Sequence, residues 1–241
     1  MLLRTCLLFL LSVSQISFAE EQPIVVFDKN NKTIFYSGAL TERGFEKFRQ
    51  LLTEFKDSVL WLEIKSKGGE INVGMDFGEL IHENKLNLSV PEYCLSSCAN
   101  YIFTAAAEKR LGKYALIGFH GGASSRTFKN SQLEEQIESF PENQRDEVKN
   151  QIRKQLKGYM ERSQQREKIF FEKVGVAQKI TTLGQAERYS SFDKTKHYIG
   201  WYYLIEDLEK LGVKNVHVTN PPWTLKQLSE QKKVFLVRVA P

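Results

Sequence analysis

Cysteine, methionine and tryptophan occur three times each, and proline six times, in 241 residues. So few cysteines exclude a disulfide-built scaffold and a four-cysteine zinc module, and a chain of this length must rest on an apolar core. Excess charge of one sign is lacking too. Lys and Arg (34) and Asp and Glu (29) are interspersed, most visibly from Glu134 to Lys173, and leave a formal net charge of +5 without a basic stripe that grips phosphates. Nucleic acid is therefore not an expected partner. No Gly-x4-Gly-Lys-Ser/Thr loop occurs, so no nucleotide is expected, and nothing calls for another cofactor. Beyond the first residues no apolar run approaches the roughly 20 residues of a membrane-spanning helix. Repeats, low-complexity tracts and linkers are absent, so residues 20–241 read as a single domain.

What is present begins with Arg4, an apolar stretch from Cys6 to Val13, and Ser17-Phe18-Ala19 ahead of Glu20 and Glu21. This order reads as a cleaved secretory signal over residues 1–19, with an uncleaved anchor as the weaker alternative. Its removal takes away one charge, Arg4, and lowers the net charge from +5 to +4. Cys94 and Cys98 are then the remaining cysteines, and an oxidising compartment favours a bond between them. Their four-residue spacing is tight for a continuous helix, so the bond implies a turn between them. Two buried free thiols are the alternative. A metal site with His82 or His120 is weaker still, because four convergent ligands cannot be assembled from the spacing, and no metal is expected.

Pro23–Phe27 and Thr33–Tyr36, with the polar Asp28–Lys32 between them, predict a β-hairpin. Thr41 has the chemistry of an N-cap, and the spacing of Phe45, Phe48, Leu51, Leu52 and Phe55 predicts a helix over 42–55. A strand over Val59–Ile64, a helix over Asn72–Glu83, a strand over Leu86–Val90, a helix over Ser97–Ala107 and a strand over Tyr114–Phe119 follow. Strands alternating with helices predict a layered, largely parallel α/β sheet. From residue 132 to 174 the chain is strongly charged, with Ile137, Val148, Ile152, Leu156, Met160, Ile169 and Phe170 as its apolar positions. Pro141 divides it into a short helix and a long one from Glu142 to Lys173, which either packs on the core or projects to a second subunit. A helix over Tyr203–Leu211 closed by Gly212, and strands over Val216–Val218 and Val234–Val239, complete the chain.

Three short runs carry chemistry: Ser66-Lys67-Gly68-Gly69, Cys94-Leu95-Ser96-Ser97-Cys98-Ala99 and Gly118-Phe119-His120. A glycine turn after a strand exposes backbone amides to a substrate carbonyl, and a serine where a helix begins gains the unpaired amides of its first turn. A histidine at a strand end can serve as general base. Each signal has a bland reading as well: a turn, an N-cap, a hydrogen-bonded core histidine.

Ile64-x-Ser66-x-Gly68-Gly69, then Gly74-Met75, Ser97, Ala105-Ala106 and His120-Gly121-Gly122 resemble the proteolytic subunit of the Clp protease family, in the crotonase superfamily. The likeness runs from Ile34 to Gly122, and the spacings of 28 residues from Gly69 to Ser97 and 23 from Ser97 to His120 match it. Cys-x-Ser-Ser-Cys-Ala and Gly-Phe-His are more narrowly similar to periplasmic Clp-protease-like proteins. The resemblance implies a fold of repeated β-β-α crossover units, a homo-oligomer and a peptide or protein substrate. Residue by residue, it implies Ser97 as nucleophile, with Ser96 as the rival, His120 as base, and the amides of Gly69 and Cys98 as oxyanion hole. The triad acid is the departure. The aligned position is Gly200, Asp193 is the nearest upstream candidate and Asp207 lies inside the next helix. A serine–lysine pair using Lys149 or Lys154 would dispense with His120. The sequence thus points to an exported, periplasmic serine hydrolase, a peptidase, against an inactive binding or scaffold protein on the same fold. A thioester enzyme of the crotonase type would need an acidic base that the sequence does not offer.

Overall fold

The computed structural model describes residues 22–125, 141–193 and 198–240. The expected signal over residues 1–19 and the short helix before Pro141 lie outside them. The hairpin is formed by β1 (Ile24–Asp28) and β2 (Thr33–Ser37), paired antiparallel, and its turn is closed where the Asp28 carboxylate accepts the Asn30 and Asn31 N–H groups at 2.9 and 3.3 Å. From β2 onward the sheet is parallel. Its order is β1-β2-β3-β4-β6-β9, with β3 at Trp61–Lys65, β4 at Asn87–Val90, β6 at Lys109–Leu111 and β9 at Val216–Val218. The molecule is thus a mixed α/β structure with a mostly parallel central sheet.

Helix α1 (Glu42–Glu54) starts where expected, with the Thr41 hydroxyl accepting the Gly44 N–H at 3.1 Å. Helix α2 (Ile71–Glu83) is capped by Glu70, whose carboxylate accepts the Val73 N–H at 2.5 Å. Phe77 of α2 meets Tyr36, Phe45 and Phe48 at ring-centre distances of 5.1–5.3 Å, which seats both helices on one sheet face.

Two parallel strand pairs flank the main sheet: β5 (Tyr93–Leu95) with β7 (Leu116–Gly118), and β8 (Tyr198–Tyr202) with β10 (Lys233–Leu236). The helix expected over Ser97–Ala107 is shorter, a π-helix over Cys98–Phe103, because the chain must leave it to add β6 to the sheet. The strand expected over Tyr114–Phe119 is trimmed to β7.

The long helix α3 (Glu142–Val174) matches its expected bounds and closes at Gly175, with φ 71°. At 1.5 Å per residue it is about 50 Å long. Its C-terminal half packs on α2 through Phe170 and Phe171, with Arg166 on Asp76 and Glu79 at 2.5 and 3.2 Å and Lys173 on Glu83 at 2.7 Å. Ile169 departs from the expected apolar stripe and is 65% exposed. The N-terminal half faces mainly solvent. Short α4 (Ser190–Asp193) and α5 (Ile205–Lys210) follow. Among the described residues no helix is long and apolar enough to cross a membrane.

Lys109 in β6 is a buried cation, 3% exposed, whose ammonium donates to the Lys214 carbonyl at 2.9 Å. Burial without a carboxylate lowers its pKa to about 8. Between that value and the ordinary 10.5 the unfolded chain holds more protons, so stability rises with pH across this window and is flat below it. The gain from this one group reaches about 3 kcal/mol. In urea denaturation the stability of the native chain relative to Lys109→Met is expected to rise by about 2 kcal/mol from pH 7.5 to pH 10, and an unchanged difference would overturn the assignment.

Candidate active site

The geometry of the site is set by the ladder between β5 and β7. Leu95 pairs with Gly118, so Ser97 and His120 each lie two residues beyond the last pair, side by side at the carboxyl ends of parallel strands. Ligands of open α/β sheets bind at such ends. The ladder is continued by the Ser96 N–H donating to the Gly118 carbonyl at 2.8 Å. Beyond β7, Phe119 exchanges both backbone hydrogen bonds with Trp201 of β8, at 2.8 and 2.7 Å, which fixes where His120 leaves the strand.

The glycine turn is pressed against this elbow. Ser66 is tied to the backbone of Tyr93 and Leu95 at 3.2 and 3.0 Å, and Gly68, at φ 94°, passes so close that a Cβ on it would lie 2.6 Å from Ser96 Cβ. Only glycine fits there. Across a planar trans peptide the N–H and C=O point opposite ways. Because the Gly68 carbonyl accepts from Leu40 N–H and Glu70 N–H donates to the Leu40 carbonyl, both the N–H and the C=O of Gly69 face the elbow. Gly74 of α2 lets that helix touch Ser97, whose Cβ would be 2.9 Å from a Cβ at residue 74.

Ser97, 2% exposed, stands at the head of the π-helix and donates its hydroxyl to the Gly69 carbonyl at 3.0 Å. It makes no hydrogen bond to His120. The backbone strain sits one residue earlier, at Ser96, with φ 55°. Cys98 is the first residue of the helix, where the N–H lacks a preceding turn. Its sulfur is at bonding distance from that of Cys94, with the Cα atoms 5.3 Å apart, so the bridge spans the elbow as the spacing implied.

His120 is exposed to a cleft of about 490 Å³ that Gly69, Ser96, Ser97, Glu70 and Tyr159 also line. The crowding of its ring by protein lowers its pKa below the ordinary 6.5, so the imidazole is neutral at physiological pH. No described carboxylate bonds to it. The side chain of Asp193 lies outside the described residues. Asp207 is fully buried and committed to Arg238 Nε and Val239 N–H at 2.6 and 3.1 Å. Gly200 abuts the histidine: a Cβ there would be 3.1 Å from His120 Cβ and 2.1 Å from the Phe119 carbonyl oxygen. An acid at this position is sterically shut out. Lys149 and Lys154 lie on the exposed half of α3 and line neither the Ser97 cleft nor its neighbours.

Two groups escaped the sequence reading. Glu167 of α3, 0% exposed, accepts from the Tyr101 hydroxyl (2.7 Å), the N–H groups of Ala123 and Ser124 (3.0 Å each), the Ser124 hydroxyl (2.6 Å) and Gln178 (3.1 Å). It locks the segment that follows His120. Its place on the helix face of Ser163 and Phe170 was the available signal. Burial and the Glu167 charge push Tyr101 well above the ordinary tyrosine pKa, so it remains a donor. The second is Lys67, inside the glycine-turn motif, where no role distinguished it from solvated lysines. It lines the Ser97 cleft and two adjoining hollows.

No family model matches the chain, and no curated protein matches it. Among solved structures, Pseudomonas aeruginosa DspI is similar over 42% of this chain and 50% of its own length, at 10% identity and a TM-score of 0.29. The match therefore spans half of that protein, and so slight a similarity bears on no functional question.

Proposed function

We propose that the protein is an exported, periplasmic serine hydrolase that cleaves peptides by acyl transfer, on a fold of the Clp protease and crotonase kind. The observation that carries this reading is that Ser97 and His120, from neighbouring parallel strand ends, open on one cleft walled by Gly69. Rotation of the Ser97 side chain exchanges the Gly69 carbonyl for the imidazole; catalytic hydrogen bonds often tighten only with substrate bound. Ser97 Oγ then bonds to the substrate carbonyl carbon while its proton passes to His120. The oxyanion takes hydrogen bonds from the Gly69 and Cys98 N–H groups. The C–N bond breaks, His120 returns the proton to the departing nitrogen, and a water deprotonated by the same imidazole hydrolyses the acyl-enzyme.

A fluorophosphonate tests this, since an activated serine displaces its fluoride. The base must be neutral to accept the proton, so the labelling rate is expected to rise with pH, to be half-maximal below pH 6.5, and to be level at neutrality. Absence of labelling overturns the hydrolase. It would leave a binding protein on the same fold, the reading favoured by glycine at position 200 and by the Ser97 hydroxyl bonded to a carbonyl.

A further inference from the structure

The Ser97 cleft continues past His120 into a second hollow of about 640 Å³, with His120 and Lys67 common to both. Leu95, Ile199, Leu228 and Val234 give it apolar walls, and Lys67 and Lys232 are its charged residues. Among the described residues no Asp or Glu lines it. Its outer wall is a built element: the Gln227 side-chain amide donates to the Val234 carbonyl at 3.0 Å and accepts the Val234 N–H at 2.8 Å. Lys65 and Lys233 nearby are neutralised by Glu92 and Glu230 at 2.8 and 2.7 Å. Lys67 and Lys232 have no such partner among the described residues and are exposed. On the Ser97 side of His120 the shared Lys67 is joined by a carboxylate, Glu70. There Glu70 accepts from Tyr159, Val73 N–H and Asn72.

A hollow with apolar walls and two unpaired cations matches an apolar group that ends in an anion, and its volume is in the range of sites that enclose small ligands, roughly 300–1,000 Å³. The imidazole that returns a proton to the departing nitrogen stands at its mouth, so the departing half of the substrate enters on this side. We infer that the hollow holds the leaving segment of a peptide substrate, a short apolar C-terminal stretch whose free carboxylate is bound by Lys67 and Lys232. The direction of the chain rests on the hydrolase reading; the carboxylate pocket does not. The product is then a small apolar peptide or amino acid, and the enzyme trims chains from their C-termini.

Binding to the oxidised Ser97→Ala chain, which holds peptide without cleaving it, gives the test by fluorescence anisotropy. N-terminally fluorescein-labelled Ala-Ala-Leu-Leu as the free acid is compared with its C-terminal amide. The amide is expected to bind at least about tenfold more weakly, as is usual when a bound charge loses its partner. Adding Lys232→Glu or Lys67→Met, both exposed positions that folding tolerates, weakens the acid by about the same factor and leaves the amide unchanged. Equal binding of acid and amide, or indifference to both lysine variants, overturns the inference. Displacement by decanoate at lower concentration than by unlabelled peptide acid assigns the hollow to a fatty-acid anion and overturns the peptide assignment. Fluorophosphonate labelling of the native chain without acid preference sinks the pocket and keeps the hydrolase; acid preference without labelling does the reverse.

Discussion

Ser97→Ala is expected to abolish fluorophosphonate labelling, His120→Ala to slow it by about a thousandfold, and Ser96→Ala to leave it within a few fold of the native rate. The first outcome follows from loss of the attacking oxygen. The second follows from the 10²–10⁴-fold that a positioned base contributes. No carboxylate orients the imidazole among the described residues, so the effect is expected near the middle of that range rather than at the larger losses of complete triads. Ser96 gives the contrast. Its N–H and C=O are occupied by Gly118 and Asn100 at 2.8 Å each, and its left-handed backbone, φ 55°, serves to turn the chain. Purified, oxidised protein labelled at pH 7.5 and read by intact mass gives the comparison. Labelling that survives Ser97→Ala and is lost in Ser96→Ala would move the nucleophile by one residue.

Glu167→Gln is expected to lower stability by about 4 kcal/mol, equivalent to a fall of about 10 °C in melting temperature for a chain of this size. The native carboxylate only accepts, and all its described partners donate: one hydroxyl each from Tyr101 and Ser124, two backbone N–H groups and the Gln178 amide. A glutamine turns an NH2 group toward several of these donors, and at 0% exposure no water can relieve the mismatch. The donors on Ala123 and Ser124 belong to the segment next to His120, so labelling of Ser97 is expected to fall with stability even below the melting range. Calorimetry checks the first effect, and a shift under about 2 °C would show that Glu167 is not the anchor of that segment.

The parts of the fold legible in sequence are those whose causes are local. Thr41 caps a helix with a regular apolar face, and Asp28–Lys32 turns a hairpin between β-branched runs. The bounds of α3 follow from Pro141 and Gly175. Three-residue β9 was read at its observed bounds, Val216–Val218, but β6 and β8 were not legible because their stability is remote: β6 has three residues, one a buried lysine, and exists by pairing with β4 and β9, while β8 carries Gly200 and pairs with β10 over thirty positions away. Within the candidate site, Ser97, His120 and the glycine turn were singled out because strand-end and helix-start chemistry shows in short motifs whose order and spacing resemble a known family. Lys67, Glu167 and the exclusion of an acid at Gly200 were not, since each depends on what the rest of the chain packs against it.

The register of β5 on β7 also bears on how such a protein can change over evolutionary time. Ser97 and His120 take their mutual position from the Leu95–Gly118 pairing and not from the length of chain between them. Insertions and deletions at the Lys113–Tyr114 turn can therefore accumulate without misaligning the two side chains, whereas a slip of one residue in a ladder three pairs long would turn the histidine to the opposite face. The bridge from Cys94, a ladder residue, to Cys98, at the head of the helix, ties the turn that carries Ser96 and Ser97 back onto its own strand. Reduction would then leave the pairing of the two strands intact and loosen only the turn that presents Ser97, so the redox state of the compartment bears on the seating of that hydroxyl and not on the strand register.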